Sequence, residues 1–519
     1  MAGTVTPDLT TISLCEVDDW VESGGTDSLN DPLLFDARQG SYCIQNYGAA
    51  AANRGSDKTL ASATDLSDTT IYCWFAFSKV PHATNPMRII VTDAAGNWRE
   101  WNIFTKATLP HLSWIAWALK TTVAYDAQSA TAPNMTAITK VGWRMDAVIA
   151  KVYIYRDAWR FGTGLSIKAG TDASPAVLED FYTADNDSTN AYGVIEKYNG
   201  VYYSQGQLKI GSTTAGDATY FKDLNQILIF KSIKGNPTGF YEIKRQGNAT
   251  ATTKILLGIK SGTVGISGCV IKAFTEKFKL TVSDTNITEF GFYACTLINA
   301  DTITGQAYST LKEFLSSTFT AGAEMLPGTG IVKDCKFISS PAEAVRMSST
   351  SHNITNCVFI SCSRAVHITV AGPFSFSDLD FTGNTYDAKN ISGVSVTVNY
   401  DQYCSPAPST YDPAGNTITF QASVTLIVRH VKTGIEPTEY VSCAIYRKSD
   451  MVQIMNKDAN VADDQNPGYY KASESWTQTG IVVIVRARET GYLPFETELT
   501  IPAGGLDVSA IWIVDPYYV

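Results

Sequence analysis

Apolar residues in this chain recur at every second position in short runs, and the runs are separated by clusters of Gly, Asn, Asp and Pro. That pattern predicts strands and turns rather than helices. "IYCWFAF" at 71–77 and "KVYIYRD" at 151–157 are aromatic and β-branched runs of this kind. "MRIIVTDAAGNWREWNIF" at 87–104 reads as a hairpin turning at Ala94-Ala95-Gly96-Asn97. About eight such runs before residue 160 predict a jelly-roll sandwich over 1–160. Tryptophan marks where it ends: Trp20, Trp74, Trp98, Trp101, Trp114, Trp117, Trp143 and Trp159 all precede residue 161, and the next is Trp476. "ASVTLIVRHV" at 422–431, "VSCAIYRK" at 441–448 and "GIVVIVRARE" at 480–489 predict a second small sandwich, of immunoglobulin-like type, over 417–519. It lacks the paired cysteines of an antibody domain, since Cys443 stands alone. Prolines in "YCSPAPSTYDPAGN" predict a linker at 404–416.

The middle, 161–403, carries a repeated word. "CKFIS" at 335–339 and "CVFIS" at 357–361 are 22 residues apart. Written as cysteine, any residue, large apolar residue, the word occurs at Cys269/Ile271, Cys295/Leu297, Cys335/Phe337 and Cys357/Phe359. Leu379/Phe381 follow at the same period, with leucine in the cysteine place. A disulfide partner or metal ligand does not tolerate leucine, but a small buried apolar position does. The spacing of two puts both residues on one face of a strand. The period matches one coil of a right-handed parallel β-helix whose interior holds these residues in columns. "YSTLKEFLSS" at 308–317 reads as a short helix inserted in a coil, with Leu311, Phe314 and Leu315 on one side. "FKDLNQILIFKS" at 221–232 and "GLSIKAGT" at 164–171 read as early coils. The fold expected is therefore all-β, with jelly roll, β-helix and immunoglobulin-like sandwich in that order.

Composition narrows the function. Of 519 residues, 45% are hydrophobic and 17% charged, as in folded domains. A formal net charge of −10 argues against nucleic acid and against docking on anionic lipid. No apolar run is long enough to span a membrane, and the start "MAGTVTPDLTTISL" does not read as a secretory signal. Synthesis in a cytosol, with reduced thiols, is the expectation.

Sequence motifs for chemistry are sparse. The five histidines form no HExxH, and neither a GxSxG nor a GxxxxGK[ST] occurs. Cys357 and Cys362, with His352 and His367 nearby, invite a zinc reading, but Cys357 belongs to the interior column, so no metal and no cofactor is expected. His367, alternating with Val366 and Ile368, reads as an outward strand residue. If Leu379 and Phe381 point inward, Asp378 and Asp380 point outward, roughly 7 Å apart. That separation is compatible with glycoside hydrolysis, although alternating strands produce such pairs routinely. "LEDFYTADND" at 178–187 reads as a solvated acidic loop. Among the aromatics, Trp98 and Trp101 beside the hairpin turn are the candidates for stacking on a sugar; the other aromatics read as sandwich core.

The order of the three domains resembles surface proteins of tailed-bacteriophage virions. "LCEVDDWVESGGT" at 14–26 and "QGSYCIQNY" at 39–47 look like the first strands of lectin-like jelly rolls in such proteins. "KVYIYRDAWRFGTGLSIKAGTDASP" at 151–175 looks like their junction into the β-helix. "GYLPFETELTI" at 491–501 and "GGLDVSAIWIVD" at 504–515 are similar to immunoglobulin-like modules decorating phage heads and tails. The resemblance implies a non-enzymatic virion protein, a head decoration or tail-associated protein assembled in the host cytoplasm. Its implied partners are other virion proteins and host-surface polysaccharide, and a homotrimer is common for such spacers. A tailspike depolymerase working through Asp378 and Asp380 is the alternative. The resemblance carries over no catalytic residue.

Overall fold

The computed structural model describes residues 4–30, 37–49, 52–82, 84–104, 113–168, 176–186, 189–211, 218–223, 226–230, 242–245, 252–261, 265–273, 277–282, 287–305, 311–327, 330–350, 353–401, 403–422, 424–431, 441–459, 461–462, 469–476, 480–489, 492–502, 505–510 and 513. The fold is nearly all-β, 61% strand and 2% helix, and a β-solenoid of about seven turns occupies its middle. It forms two compact units, Met1–Ile331 and Val332–Val519. No helix among the described residues is long and apolar enough to cross a membrane.

The first unit begins with two antiparallel sheets packed face to face. One contains Thr4–Ser13, Thr26–Asn30, Cys43–Tyr47, Thr70–Phe77, Ile115–Lys120 and Tyr153–Lys168; the other contains Trp20–Ser23, Ala52–Thr64, Met87–Asp93, Trp98–Phe104, Ala127–Gln128 and Ile138–Val148. The predicted hairpin turns at Ala94–Asn97, where Gly96 takes the positive φ the turn requires. Inward residues Ile71, Cys73, Phe75 and Phe77 meet Ile89, Val91, Trp101, Trp143 and Met145. Phe75 packs edge-on against Trp143 and Trp159, with centroids at 6.5 and 5.5 Å. A buried ion pair joins two strands of the first sheet: Arg156 reaches Asp27 at 2.7 Å, with both side chains almost fully buried. The two charges offset each other, and the Asn46 amide donates a further bond to Asp27 Oδ1 at 2.7 Å.

Every residue of Thr70–Phe77 is buried, because the sheet's outer face is roofed as well. The roof is made by 176–186 and 189–206, which include the one described helix, Leu178–Asp185. Trp74 Nε1 donates to Ala191 O at 3.0 Å, and Arg160 Nη1 to the same oxygen at 2.8 Å. The stretch expected to be a solvated acidic loop is therefore mostly helix. Leu178 and Phe181 are buried, and Asp185 accepts the N–H groups of Gly193 and Val194, both at 2.8 Å. Burial pushes the Asp185 and Asp157 carboxyls up to about 7. The roof closes the start of the solenoid, as a stacked repeat requires.

No linker separates sandwich from solenoid. Strand Tyr153–Lys168 runs past residue 160: it is antiparallel to its sandwich neighbours, and its end pairs in parallel with Gln207–Ile210, Gly164 opposite Gln207 and Ile167 opposite Ile210. Three parallel ladders follow. Leu165, Leu208, Ile243, Leu280, Ile303 and Met325 form an interior column on the first. Tyr202, Leu228, Ile271, Leu297 and Phe319 form one on the second. The third contains Ala218–Asp223, Thr252–Leu257, Ile287–Tyr293 and Leu311–Leu315. Leu311–Leu315 is thus a strand and not the expected helix. Its Phe314 lies among Phe290, Phe292 and their neighbours, with centroids at 5.4 and 5.3 Å, so ladder pairing overrides the helical spacing.

The second unit continues with coils. Phe337, Phe359 and Phe381 are in register, and their rings stack at 5.1 and 5.5 Å, 10° and 12° from parallel. Cys335 and Cys357 are buried beside them, and Leu379 pairs with Cys357. The region read as a linker, 404–416, is the last corner of the solenoid. Asp387 accepts the N–H groups of Ser409 and Thr410 at 2.9 and 3.0 Å, Tyr411 bridges to Ala388, and Cys404 is buried. Its prolines rule out helix and strand but not packing. Ile418–Ala422 pairs in parallel with Val396–Tyr400, so the final sandwich starts at Val424 rather than 417. Among the described residues that sandwich has two four-stranded sheets around Leu426, Val428, Cys443, Ile445, Val483 and Val485.

Candidate functional site

The cysteine columns are structural. All ten cysteines are free and buried. Cys269 and Cys295 approach to 3.6 Å between sulfurs, and Cys295 Sγ donates to Leu257 O at 3.3 Å. Ile271, Leu297, Phe337, Phe359, Leu379 and Phe381 are all buried. Left-handed residues bracket the short strands: Ala294 and Asn299, Ser316 and Ala321, Asp334 and Ser339, Asn356 and Ser361, Asp378 and Gly383. Ser317 occupies the cysteine place in the coil after Cys295, accepting the Cys295 N–H at 3.1 Å across 22 residues. Cys362 donates to Phe337 O at 3.6 Å. Among the described residues no group of three or more His, Cys, Asp or Glu gathers as metal ligands do. His352 lies outside the described residues. His367 is in register with Arg346 and Lys389, away from Val366 and Ile368, yet is nearly fully covered.

Asp378 is exposed and Asp380 half-buried, while Leu379 and Phe381 face the interior. The geometry gives both aspartates structural work. Asp378 takes a left-handed corner, a conformation Asp and Asn tolerate, and its N–H donates to Asp401 Oδ1 at 3.1 Å. The Asp380 carboxylate accepts the Thr382 hydroxyl. Asp334 and Asn356 hold the matching corners of the two preceding coils, linked by a 2.6 Å bond from Asn356 Nδ2 to Asp334 Oδ1.

The two tryptophans beside the hairpin turn part company. They are three apart on one strand, so they fall on opposite faces. Trp101 points into the sandwich, is 1% exposed and donates from Nε1 to Val123 O at 3.1 Å; it is core and not a sugar-stacking surface. Trp98 is half-buried on the outer face of its sheet, opposite Thr92.

That outer face carries a cross-strand array of charged side chains. Cross-strand pairing aligns Glu100 with Ile90, Ile90 with Gly142, and Gly142 with Asp57; Arg88 and Arg144 are neighbours, and Gly55 lies beside Arg144. Arg88 bridges two carboxylates, Glu100 at 3.0 Å and Asp146 at 2.6 Å. Arg144 pairs with Asp57 at 2.7 Å. Glycine is what lets this second pair lie flat. A Cβ on Gly142 would fall 2.1 Å from Asp57 Oδ1 and 2.5 Å from Ser56 O, and one on Gly55 would fall 2.7 Å from Arg144 Cδ. Glycine within a strand marks close approach of this kind. The result is a low, fixed array of two guanidinium groups and three carboxylates around the shallow Ile90–Gly142 centre, with an indole at one end. The sequence named Trp98 alone. The alternating charges Arg88, Glu100, Asp57 and Arg144 on predicted strands, with a glycine in each of two strands, were the signal that could have found the rest.

No protein-family model matches the chain, and no curated protein does. Solved structures give partial likenesses. TmCBM61 in complex with β-1,4-galactotriose is 14% identical, covering 29% of this chain and 92% of its own, at a TM-score of 0.21. The family 11 carbohydrate-binding module of Clostridium thermocellum, in complex with a β-1,3-1,4-mixed-linked tetrasaccharide, is 12% identical over 31% of this chain and 96% of its own, TM-score 0.23. The xylan-binding domain CBM22-1 of Paenibacillus barcinonensis Xyn10C is 14% identical over 31% and 95%, TM-score 0.21.

Proposed function

We propose that this chain is a structural protein on the exterior of a tailed-phage virion, a head decoration or tail-associated protein, and that its N-terminal sandwich binds host-surface polysaccharide. The other domains serve as spacer and as contact with further virion proteins. The glycan part of the reading rests on one observation: an indole shares an outer sheet face with the flattened Arg88–Glu100–Asp146 and Arg144–Asp57 groups. A pyranose offers an apolar CH face and a rim of hydroxyls. The indole suits the first, and fixed carboxylates and guanidinium forks suit the second. The virion part rests on the order of the three all-β domains.

Affinity electrophoresis of the purified chain in envelope polysaccharide tests the first part. Retardation is expected, and Trp98→Ala and Asp57→Ala each weaken it about tenfold, the loss of about 1.4 kcal/mol of contact, with unchanged far-UV circular dichroism. Equal retardation of the variants would overturn the assignment of the face. Mass spectrometry of purified particles tests the second part: the chain should be abundant in them, and its absence would end the virion reading.

A further inference from the structure

We propose that the charged face takes an uncharged glycan chain lying across the strands, about three sugar units long; this rests on the glycan reading above. The length follows from the sheet. The contact groups lie on four neighbouring strands: Trp98 and Glu100 on Trp98–Phe104, Ile90 on Met87–Asp93, Gly142 on Ile138–Val148, and Asp57 on Ala52–Thr64. Neighbouring strands are about 4.7–4.9 Å apart, so three spacings, about 14 Å, separate the indole's strand from that of Asp57. A pyranose in an extended chain advances by roughly one strand spacing. A chain that crosses the strands can therefore stack one unit on the indole and bring a third to Asp57, whereas a chain running along them reaches only one of the two. Midway lie Ile90, which is nearly covered, and Gly142, which has no side chain to stand in the path.

The charges select the class of sugar. An acidic sugar needs a cation that is not already engaged. Arg88 holds Glu100 and Asp146, while Arg144 holds Asp57 and donates from Nη1 to Trp143 O at 2.8 Å. Asp126, which accepts the Asn102 N–H at 2.8 Å, adds a fourth carboxylate at the sheet's edge. On the outward rows of these four strands, Lys140 is the one described cation outside an ion pair; it is exposed, and aligned with Thr92 and Thr59. A uronate would thus meet four carboxylates and one exposed amine. Drawing a guanidinium to it would strip a fixed carboxylate of its partner. A hydroxyl carries no such penalty, since it donates to a carboxylate or accepts from a guanidinium without breaking either pair. The chain's net charge of −10 opposes a polyanion at longer range as well.

Affinity electrophoresis of the full chain in gels of xylan, galactan and mannan, and of polygalacturonate and alginate, tests the class. Retardation by at least one neutral polymer and by neither acidic one is expected, changing less than about twofold between about 20 and 300 mM salt. Calorimetric titration with oligomers of the retarding sugar tests the length: affinity should rise about tenfold from dimer to trimer and level off beyond the tetramer. Asp57→Ala should remove that rise while leaving dimer binding within about threefold, and Lys140→Ala should stay within about twofold throughout. Circular dichroism controls for folding. Retardation by the acidic polymers that fades with salt or with Lys140→Ala overturns the uncharged class and leaves glycan binding standing. Affinity independent of oligomer length, or a rise that survives Asp57→Ala, overturns the crossing chain. No retardation by any polymer overturns this inference together with the reading it rests on.

Discussion

Phe359→Ala is the most direct probe of what holds the solenoid closed. The side chain is fully buried, and its ring lies 5.1 Å from Phe337 and 5.5 Å from Phe381, nearly parallel to both. Removing a buried phenyl costs about 3–5 kcal/mol in lost transfer energy and residual cavity. Each aromatic contact adds about 0.5–1.5 kcal/mol, and two are lost at once, so the upper end of that range is expected. Little relaxation is available, because the neighbouring coils fix the backbone on both sides. Tryptophan fluorescence cannot report on this region, since the solenoid contains none. Hydrogen exchange on the full chain can. Amides of Lys336–Ile338, Asn353–Ile360 and Phe374–Thr382 should lose protection together, by about 3–5 kcal/mol, while the N-terminal sandwich keeps its own. A loss below about 1 kcal/mol, or one confined to the mutated strand, would refute a stacked interior column as the source of stability.

Four further outcomes are expected. Cys357→Ser should cost only about 1 kcal/mol in urea unfolding, because a serine already fills the equivalent place at Ser317 and satisfies its hydroxyl on Leu315 O at 3.0 Å. Chelators should leave the melting temperature unchanged, and a drop on adding EDTA would contradict the buried-thiol account. Gly142→Ala should lower the stability of the sandwich by about 1–3 kcal/mol, read by tryptophan fluorescence, because its Cβ would collide with Asp57 and Ser56. The buried Asp157 and Asp185 give a pH dependence. Their folded-state affinity for protons is raised to about 7, so the stability they contribute is full below the ordinary carboxylate range and is lost as pH rises through about 7. Thermal unfolding followed by tryptophan fluorescence should therefore occur at higher temperature at pH 5.5 than at pH 8, and a flat or reversed profile would contradict it.

The solenoid was legible because its columns use an uncommon residue at a constant spacing; cysteine above cysteine survives a reading with no structure. Where the column is made of Tyr202 and Leu228 the word disappears, and only the apolar run at 221–232 pointed to a coil. The helix expected near residue 311 failed because three apolar residues fit a helix face as well as a ladder, and neighbouring coils decided between them. The linker at 404–416 failed because proline excludes hydrogen-bonded elements without excluding burial. The roof helix was missed because Glu179, Asp180 and Asp185 read as solvated, while the hydrogen bonds that bury Asp185 come from residues outside the helix. The charged face was half legible. Parity alone separates Trp98 from Trp101, but the alignment of Arg88, Arg144, Glu100 and Asp57 depends on strand order, which sequence pattern does not supply.

The unbroken strand Tyr153–Lys168 has a mechanical consequence. A tether held at the sandwich would pull on it lengthwise, along the axis of a ribbon bonded on both edges. Its backbone bonds would then be loaded in shear and would have to fail together rather than unzip one after another, so a load on the sandwich would pass into the coils without a compliant joint to absorb it.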